Sequence, residues 1–341
     1  PMGQTQRLSI SAQTNGTYYK AFAISFTDPW MGGRKPNSFT ISAHYSDENN
    51  AYYAWQKGTR YFRTAGVAAG LGKRLDWPDP YFTFYAEASY ERYMLKDWNT
   101  FVLKNGAANL LSIRLVLGRN SVDQPIYPRR GSDFSVSVQL TPPYSLWDGK
   151  DYKSTALSEQ ERYNWIEFHK WMLKGQWFTP LTRNGNLVLM ARAEMGYLGH
   201  YNKNKVSPFE RFEVGGDGMT GYNMYGIDII SMRGYDDGAL DPVGSNYSCA
   251  YNKYTMELRY PLLLKGQTNI YVLGFLEGGN GFTSWKEFSP FKIKRSAGIG
   301  VRLFLPVVGM VGVDWGWGFD PAAGQTKRSG SHIHFTMGMQ F

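Results

Sequence analysis

The chain has one cysteine, no long hydrophobic run and no clustered metal ligands, and each absence removes a class of protein. Cys249 sits in the polar stretch after Ser245-Asn246-Tyr247-Ser248, forms no intrachain disulfide and is read as an inert loop thiol. The longest apolar run, from Leu303 to Val313, is interrupted by Pro306 and falls well short of the roughly 20 residues a spanning helix needs. A mean hydropathy of −0.41 also argues against a bundle of membrane helices. His332 and His334 share one strand face, but no Cys or carboxylate group nearby completes a metal site, so no metal and no cofactor is expected. Gly66–Arg74 has the wrong glycine spacing for a phosphate loop and places Arg74 where Ser or Thr is needed. It reads better as a strand whose small residues, Gly66, Ala68, Gly70 and Gly72, face one way. No Ser-His or Asp-His arrangement recommends an enzyme. The net charge of +9 comes from Lys and Arg interleaved with acids, without a basic stripe. Nucleic acid is therefore not an expected partner, and the cations fit loops and rims facing lipid phosphates or lipopolysaccharide.

What the chain does have is aromatic residues and alternation. Phe, Trp and Tyr make up 16% of the residues, which suits a barrel with aromatic girdles at both membrane interfaces. From Ile333 to Phe341 the odd positions are Ile333, Phe335, Met337, Met339 and Phe341, against His334, Thr336, Gly338 and Gln340. From Val311 to Phe319 the odd positions are Val311, Val313, Trp315, Trp317 and Phe319, against Gly312, Asp314, Gly316 and Gly318. Period-two alternation of this kind puts one face in an apolar medium and the other in a polar one. It recurs at Phe39–Tyr45, Phe82–Tyr90, Phe134–Leu140, Leu187–Tyr197, Tyr254–Tyr260 and Ala297–Leu305.

Spacing then separates a barrel from a sandwich. Proline turn signals follow every second strand: Asp28-Pro29, Pro78-Asp79-Pro80, Thr179-Pro180, Tyr260-Pro261 and Leu305-Pro306. Between Asn120 and His169 both Tyr127-Pro128 and Thr141-Pro142-Pro143 qualify, and the phase stays open there. Longer polar segments alternate with these turns, notably Ser46–Thr59, Lys96–Gly106, His200–Tyr251 and Asn280–Pro290. Short turns at one end and long loops at the other are the plan of an outer-membrane barrel, here with about fourteen strands and both termini on the short-turn side. No repeat of about 40 residues supports a propeller. Residues 1–341 are thus expected to form one all-β, antiparallel transmembrane β-barrel domain.

The segment 200–251 is too long for a mere connection. It carries Gly215-Gly216-Asp217 and, further on, Met232-Arg233-Gly234-Tyr235. A double glycine followed by Val-Arg-Gly-Phe/Tyr in an external loop resembles the BamA-type outer-membrane protein assembly superfamily, with Met232 in place of Val. Glu257, in Met256-Glu257-Leu258-Arg259-Tyr260-Pro261, and Glu277, in Phe275-Leu276-Glu277-Gly278-Gly279, stand where the family places lumen acids, the second usually Asp. The Ser296–Val301 and Pro306–Gly309 segments and the terminal strand continue the likeness.

The resemblance implies a loop that folds into the lumen and is pinned when Arg233 meets Glu257 and Glu277. It implies about sixteen strands, so the first strands and periplasmic polypeptide-transport-associated domains are expected upstream of the chain. It also implies an outer-membrane insertase that works without ATP through a weakly closed seam between first and last strands. Ile333, Phe335, Gly338 and Phe341 belong to that last strand, where Gly338 either permits a kink or is a small lumen residue. Implied partners are unfolded outer-membrane β-barrel substrates, accessory assembly lipoproteins, periplasmic chaperones, and outer-membrane lipid with its lipopolysaccharide. A secretion pore of the same superfamily and a passive porin are the alternatives.

Overall fold

The computed structural model describes residues 6–33, 37–51, 58–99, 102–219, 226–244, 247–265, 268–306 and 309–338. The strands in chain order begin with β1 (Arg7–Asn15), β2 (Tyr19–Asp28), β3 (Asn37–Asn49), β4 (Tyr61–Arg74), β5 (Phe82–Lys96), β6 (Gly106–Asn120), β7 (Gly131–Leu140) and β8 (His169–Pro180). They continue with β9 (Val188–Gly199), β10 (Phe212–Val214), β11 (Asp228–Ile230), β12 (Ala250–Lys265), β13 (Thr268–Phe282), β14 (Lys294–Leu305), β15 (Gly309–Pro321) and β16 (Arg328–Met337). Among the described residues, fourteen of these form one antiparallel sheet in chain order, and β10 and β11 form a separate parallel pair.

The longest connections, 141–168 and 200–249, fall on one side as the two-sided plan requires, although the β1–β2 turn on that side spans only 16–18, and the strand order settles the open phase. The β6–β7 turn spans 121–130, so Tyr127-Pro128 is on the short side and Thr141-Pro142-Pro143 opens a long loop. One expected turn is misplaced: β12 runs through Tyr260-Pro261 to Lys265, with a register shift between Pro261 and Leu263. A bulge there accommodates a residue that cannot donate to the ladder. The long external segment also ends earlier than expected, because Tyr251 already belongs to β12.

The chain divides into two compact units. The first comprises residues 1–117, 137–171 and 199–209. Here β1 to β5 pair in register and β4 carries the small stripe, with Gly66 and Gly70 buried and Val67 and Leu71 exposed. Phe62, Tyr93 and Phe209 are buried together, Tyr93 stacking on Phe209 at a centroid distance of 4.3 Å. Trp30, Trp77 and Tyr81 stand exposed near the short turns, as an interfacial girdle requires.

The second unit comprises residues 118–136, 172–198 and 210–341. Its outer face is apolar and exposed, with Met256, Leu258, Leu276, Ile299, Val301, Val313, Trp315, Ile333 and Phe335. In water such a face would be an aggregation hazard; in hydrocarbon it is the solvent-matched surface. Its inner face is the reverse. Arg259, Glu257, Glu277, Arg302, Asp314 and His334 are buried there, beside an apolar cluster of Tyr127, Phe178, Val188, Met190, Tyr271, Leu273, Phe275 and Met310. The Tyr127 hydroxyl donates to the carbonyls of Asn186 and Arg259.

Candidate functional site: a loop docked on the inner wall

The segment between β9 and β12 holds its own shape before it meets the wall. Phe212 and Ser248 exchange both backbone hydrogen bonds, and β10 lies beside β11. The Gly216 N–H donates to the Tyr235 carbonyl and Met232 N–H donates back to Gly216. Gly215 and Gly216 both have positive φ, and a Cβ on Gly216 would lie 1.5 Å from the Asp237 carboxylate. The double glycine is therefore what lets the two halves of the motif touch.

At the loop's base, Asp241 accepts from the Val214 N–H and the Ser248 hydroxyl. Burial pushes its carboxyl up to about 8, against those hydrogen bonds, which favour the ionised form. Burial likewise raises the Tyr235 hydroxyl to about 12; that group donates to the Arg295 carbonyl. Cys249 is half-buried beside the start of β12, rather than in a polar surface loop, and its N–H donates to Phe282. Burial raises its thiol, which makes it a poor nucleophile.

From this frame the loop presents Arg233 to the wall. Its backbone N–H donates to Glu277 Oε2 at 2.8 Å, and Nε and Nη2 donate to Glu277 Oε1 at 3.1 and 2.7 Å. Nη2 also donates to Glu257 Oε1 at 2.7 Å, and Nη1 lies 3.5 Å from Asp314. The guanidinium lies over the Phe275 ring, 3.7 Å from its centroid. A planar, permanently charged fork suits such a site better than a point-charge ammonium. The acids are in turn held by strand arginines, Arg259 to Glu257 at 2.7 Å and Arg302 bidentate to Asp314 at 2.8 and 2.7 Å. Charge is thus balanced across a buried network, which avoids the cost of an unpaired ion.

The sequence-predicted group of Gly215, Gly216, Met232, Arg233, Gly234 and Tyr235 is brought together with Glu257 and Glu277. The Met232 and Tyr235 side chains are fully buried. Ile333 and Phe335 lie instead on the outer, exposed face. Gly338 follows the last residue of β16 in a bend with φ of +96°, its N–H donating to Met310. Phe341 lies outside the described residues.

Several participants were not singled out from sequence. The His334 Nε2 accepts from the Gly234 N–H at 2.8 Å, and His332 Nδ1 lies 3.2 Å from Asp236. These histidines, paired by spacing, face the loop. Gly234 itself has φ of +88° and rests on the glycines of β15: a Cβ on Gly318 would meet its carbonyl at 2.3 Å, and one on Gly316 its nitrogen at 2.8 Å. The signal was present in the alternation from Val311 to Phe319, which put Asp314, Gly316 and Gly318 on one face.

An antiparallel sheet with an apolar outer face, and a long loop bonded to its polar inner face, is the architecture of an outer-membrane β-barrel. A model of the Omp85 superfamily domain matches residues 2–341, and the chain belongs to that superfamily. It is 23% identical over 258 residues to outer membrane protein assembly factor BamA of Neisseria meningitidis serogroup B, covering 70% of this chain and 27% of that protein. The structure of BamA from Haemophilus ducreyi lacking POTRA domains 1–3 has a TM-score of 0.67 at 17% identity, covering 97% of this chain and 63% of that one. CdiB from Escherichia coli has a TM-score of 0.53 at 13% identity, covering 93% and 52%. The chain therefore spans only part of the length of the relatives it matches.

Proposed function

We infer that this barrel belongs to an outer-membrane protein insertase, which folds β-barrel substrates into the membrane through a weakly closed seam between the first and last strands of the barrel. The reading is carried by one observation: Arg233 bonds both Glu257 and Glu277 while the next residue, Gly234, bonds His334 of β16. A loop anchored at both places supports the inner wall beside the last strand. Strand edges are templates for other strands, and in hydrocarbon the unpaired groups are costly enough to drive pairing. No ATP, cofactor or catalytic group is needed. Unfolded outer-membrane barrels would be the substrates, delivered by periplasmic chaperones, with accessory lipoproteins and lipopolysaccharide-bearing lipid around the barrel.

The test is reconstitution of the full-length protein into liposomes, timing the folding of an unfolded barrel substrate. Acceleration that a disulfide between the first and last strands of the full-length barrel abolishes supports the insertase. Steady ion conductance without acceleration sinks it. Likeness to CdiB keeps a secretion pore as the second reading, and export of a co-expressed partner protein instead of barrel insertion would favour it.

A further inference from the structure

The connection between β7 and β8, residues 141–168, is on the side of the long connections, which faces outward in an outer-membrane barrel. It contains a single helical turn at Tyr144–Leu146 and a short helix at Glu159–Tyr163, whose start is fixed by the reciprocal capping of Ser158 and Glu161. Gln160 exchanges two hydrogen bonds with the Ala107 backbone, at 2.8 and 2.7 Å, and the Ile166 N–H donates to the Asn109 carbonyl. Arg162 donates to the carbonyls of Tyr152 and Asn204 at 2.8 and 2.6 Å. A surface segment tied at so many points can hold side chains in a fixed arrangement, which a slack linker cannot.

These ties enclose a cavity of about 250 Å³. Its walls are aromatic: Tyr144 packs on Trp165 with ring centroids 5.1 Å apart, and buried Tyr152 and Trp147, 69% exposed, complete them. Lys205 also lines the cavity although its side chain is only 3% exposed. Its ammonium lies 4.8 Å from the Tyr152 ring centroid and donates to the Tyr152 hydroxyl at 3.3 Å and to Glu167 at 3.4 Å. Glu167 is buried as well, and accepts from the Ser145 N–H at 2.7 Å and from the Ser145 hydroxyl. Burying a lysine is costly unless it is paired, so Glu167 is what holds a charged donor inside an aromatic pocket.

The lining sets two lysines, Lys150 and Lys205, against two carboxylates, Asp148 and Glu161. That balance disfavours a phosphate, which would meet both acids, and an ammonium, which would meet both lysines. Sugar hydroxyls both donate and accept, and so match a mixed set. The negatively polarised faces of the aromatic rings suit the C–H face of a pyranose. A volume below the roughly 300–1,000 Å³ of sites for drug-sized ligands limits the occupant to about one ring. We propose that this pocket is a saccharide-binding site on the outer surface, seating one pyranose ring against Trp147 with Lys205 and Asp148 bonding its hydroxyls. The site stands apart from the insertase reading and does not rest on it.

The full-length protein, in micelles of a detergent without a sugar headgroup, is titrated with the methyl glycosides of glucose, galactose and N-acetylglucosamine. A dephosphorylated lipopolysaccharide core oligosaccharide is titrated beside them, and saturation-transfer NMR reads binding. At least one of these probes should bind, and Trp147→Ala should weaken it by about tenfold, the worth of one aromatic contact. Trp147 is largely exposed, so its truncation leaves the fold intact; Trp285→Ala, an exposed tryptophan on the connection after β13, should leave binding unchanged. Tighter binding of the core oligosaccharide than of any methyl glycoside supports the site and assigns its ligand to the cell envelope, whereas the reverse order supports it with a free sugar as ligand. Failure of every probe to bind overturns the proposal. Binding untouched by Trp147→Ala also overturns it, as does displacement of the sugar by inorganic phosphate, which would make the pocket an anion site.

Discussion

Arg233 and Glu277 share three hydrogen bonds, one through the backbone and two through the guanidinium, at 2.8, 3.1 and 2.7 Å. Truncating one partner of a buried ion pair costs about 3–5 kcal/mol, because the other charge is left uncompensated. Arg233→Ala is therefore expected to release the loop, read as increased proteolysis between residues 226 and 244 in the intact barrel. Arg233→Glu should do the same, and combining it with Glu277→Arg should restore part of the protection; a double variant no better protected than the single ones would show that the pairing is not what holds the loop.

Gly234 provides a steric test that leaves every charge in place. A Cβ there would need the left-handed region and would sit 2.8 Å from Ser296 Cβ and 3.0 Å from the Gly318 nitrogen. Gly234→Ala should destabilise docking by about 1–3 kcal/mol, and Gly318→Ala, approaching from the strand side, should act in the same direction. Hydrogen exchange at the loop amides reads both; docking unaffected by either would mean that the loop does not rest on β15.

Asp241 makes the loop's base sensitive to pH. Its folded value of about 8 lies above the ordinary carboxylate value of 3.8. Between these values the folded loop keeps a proton that the unfolded segment has released, so loop stability falls as pH rises through the window and levels off above it. Asp241→Asn should flatten this dependence. Protease protection of the loop measured from pH 5 to about 9 checks the sign; protection that rises with pH would contradict it.

Ile299 tests the outer face. It is exposed in the middle of β14, opposite Trp315 of β15. An arginine facing the bilayer midplane costs about 2–4 kcal/mol, so Ile299→Arg should lower folding stability in lipid by that amount in a urea titration. A change near zero would place the residue at an interface.

Much of the fold was legible because a barrel wall has two solvents. The alternation at Val311–Phe319 and over Ile333, Phe335 and Met337 states which residues meet lipid, and Met256 and Leu258, flanking Glu257, lie on the exposed face while Glu257 is buried. The motif pointed to Arg233 and its two acids, since a buried guanidinium requires carboxylates. Tyr260-Pro261 misled because a bulge tolerates proline as well as a turn does. Arg302 and Asp314 were missed for a different reason: their register, Arg302 opposite Gly312 and not Asp314, is diagonal, and such a pairing is not visible from spacing along either strand. His332 and His334 were seen as a pair, but what they touch comes from a loop about a hundred residues earlier, at a separation of 100 for Gly234 and His334, which no local pattern encodes.

The glycines of β15 have a mechanical consequence. Gly316 and Gly318 leave part of the inner face of β15 bare, and a stretch of strand without side chains to pack is entropically soft. In the docked state the main chain around Gly234 fills that gap, so the loop serves β15 as a detachable splint. Withdrawing it would make the terminal hairpin pliant while leaving its partner strands stiff. The compliance of one border of the wall would then be governed by whether a distant segment is seated.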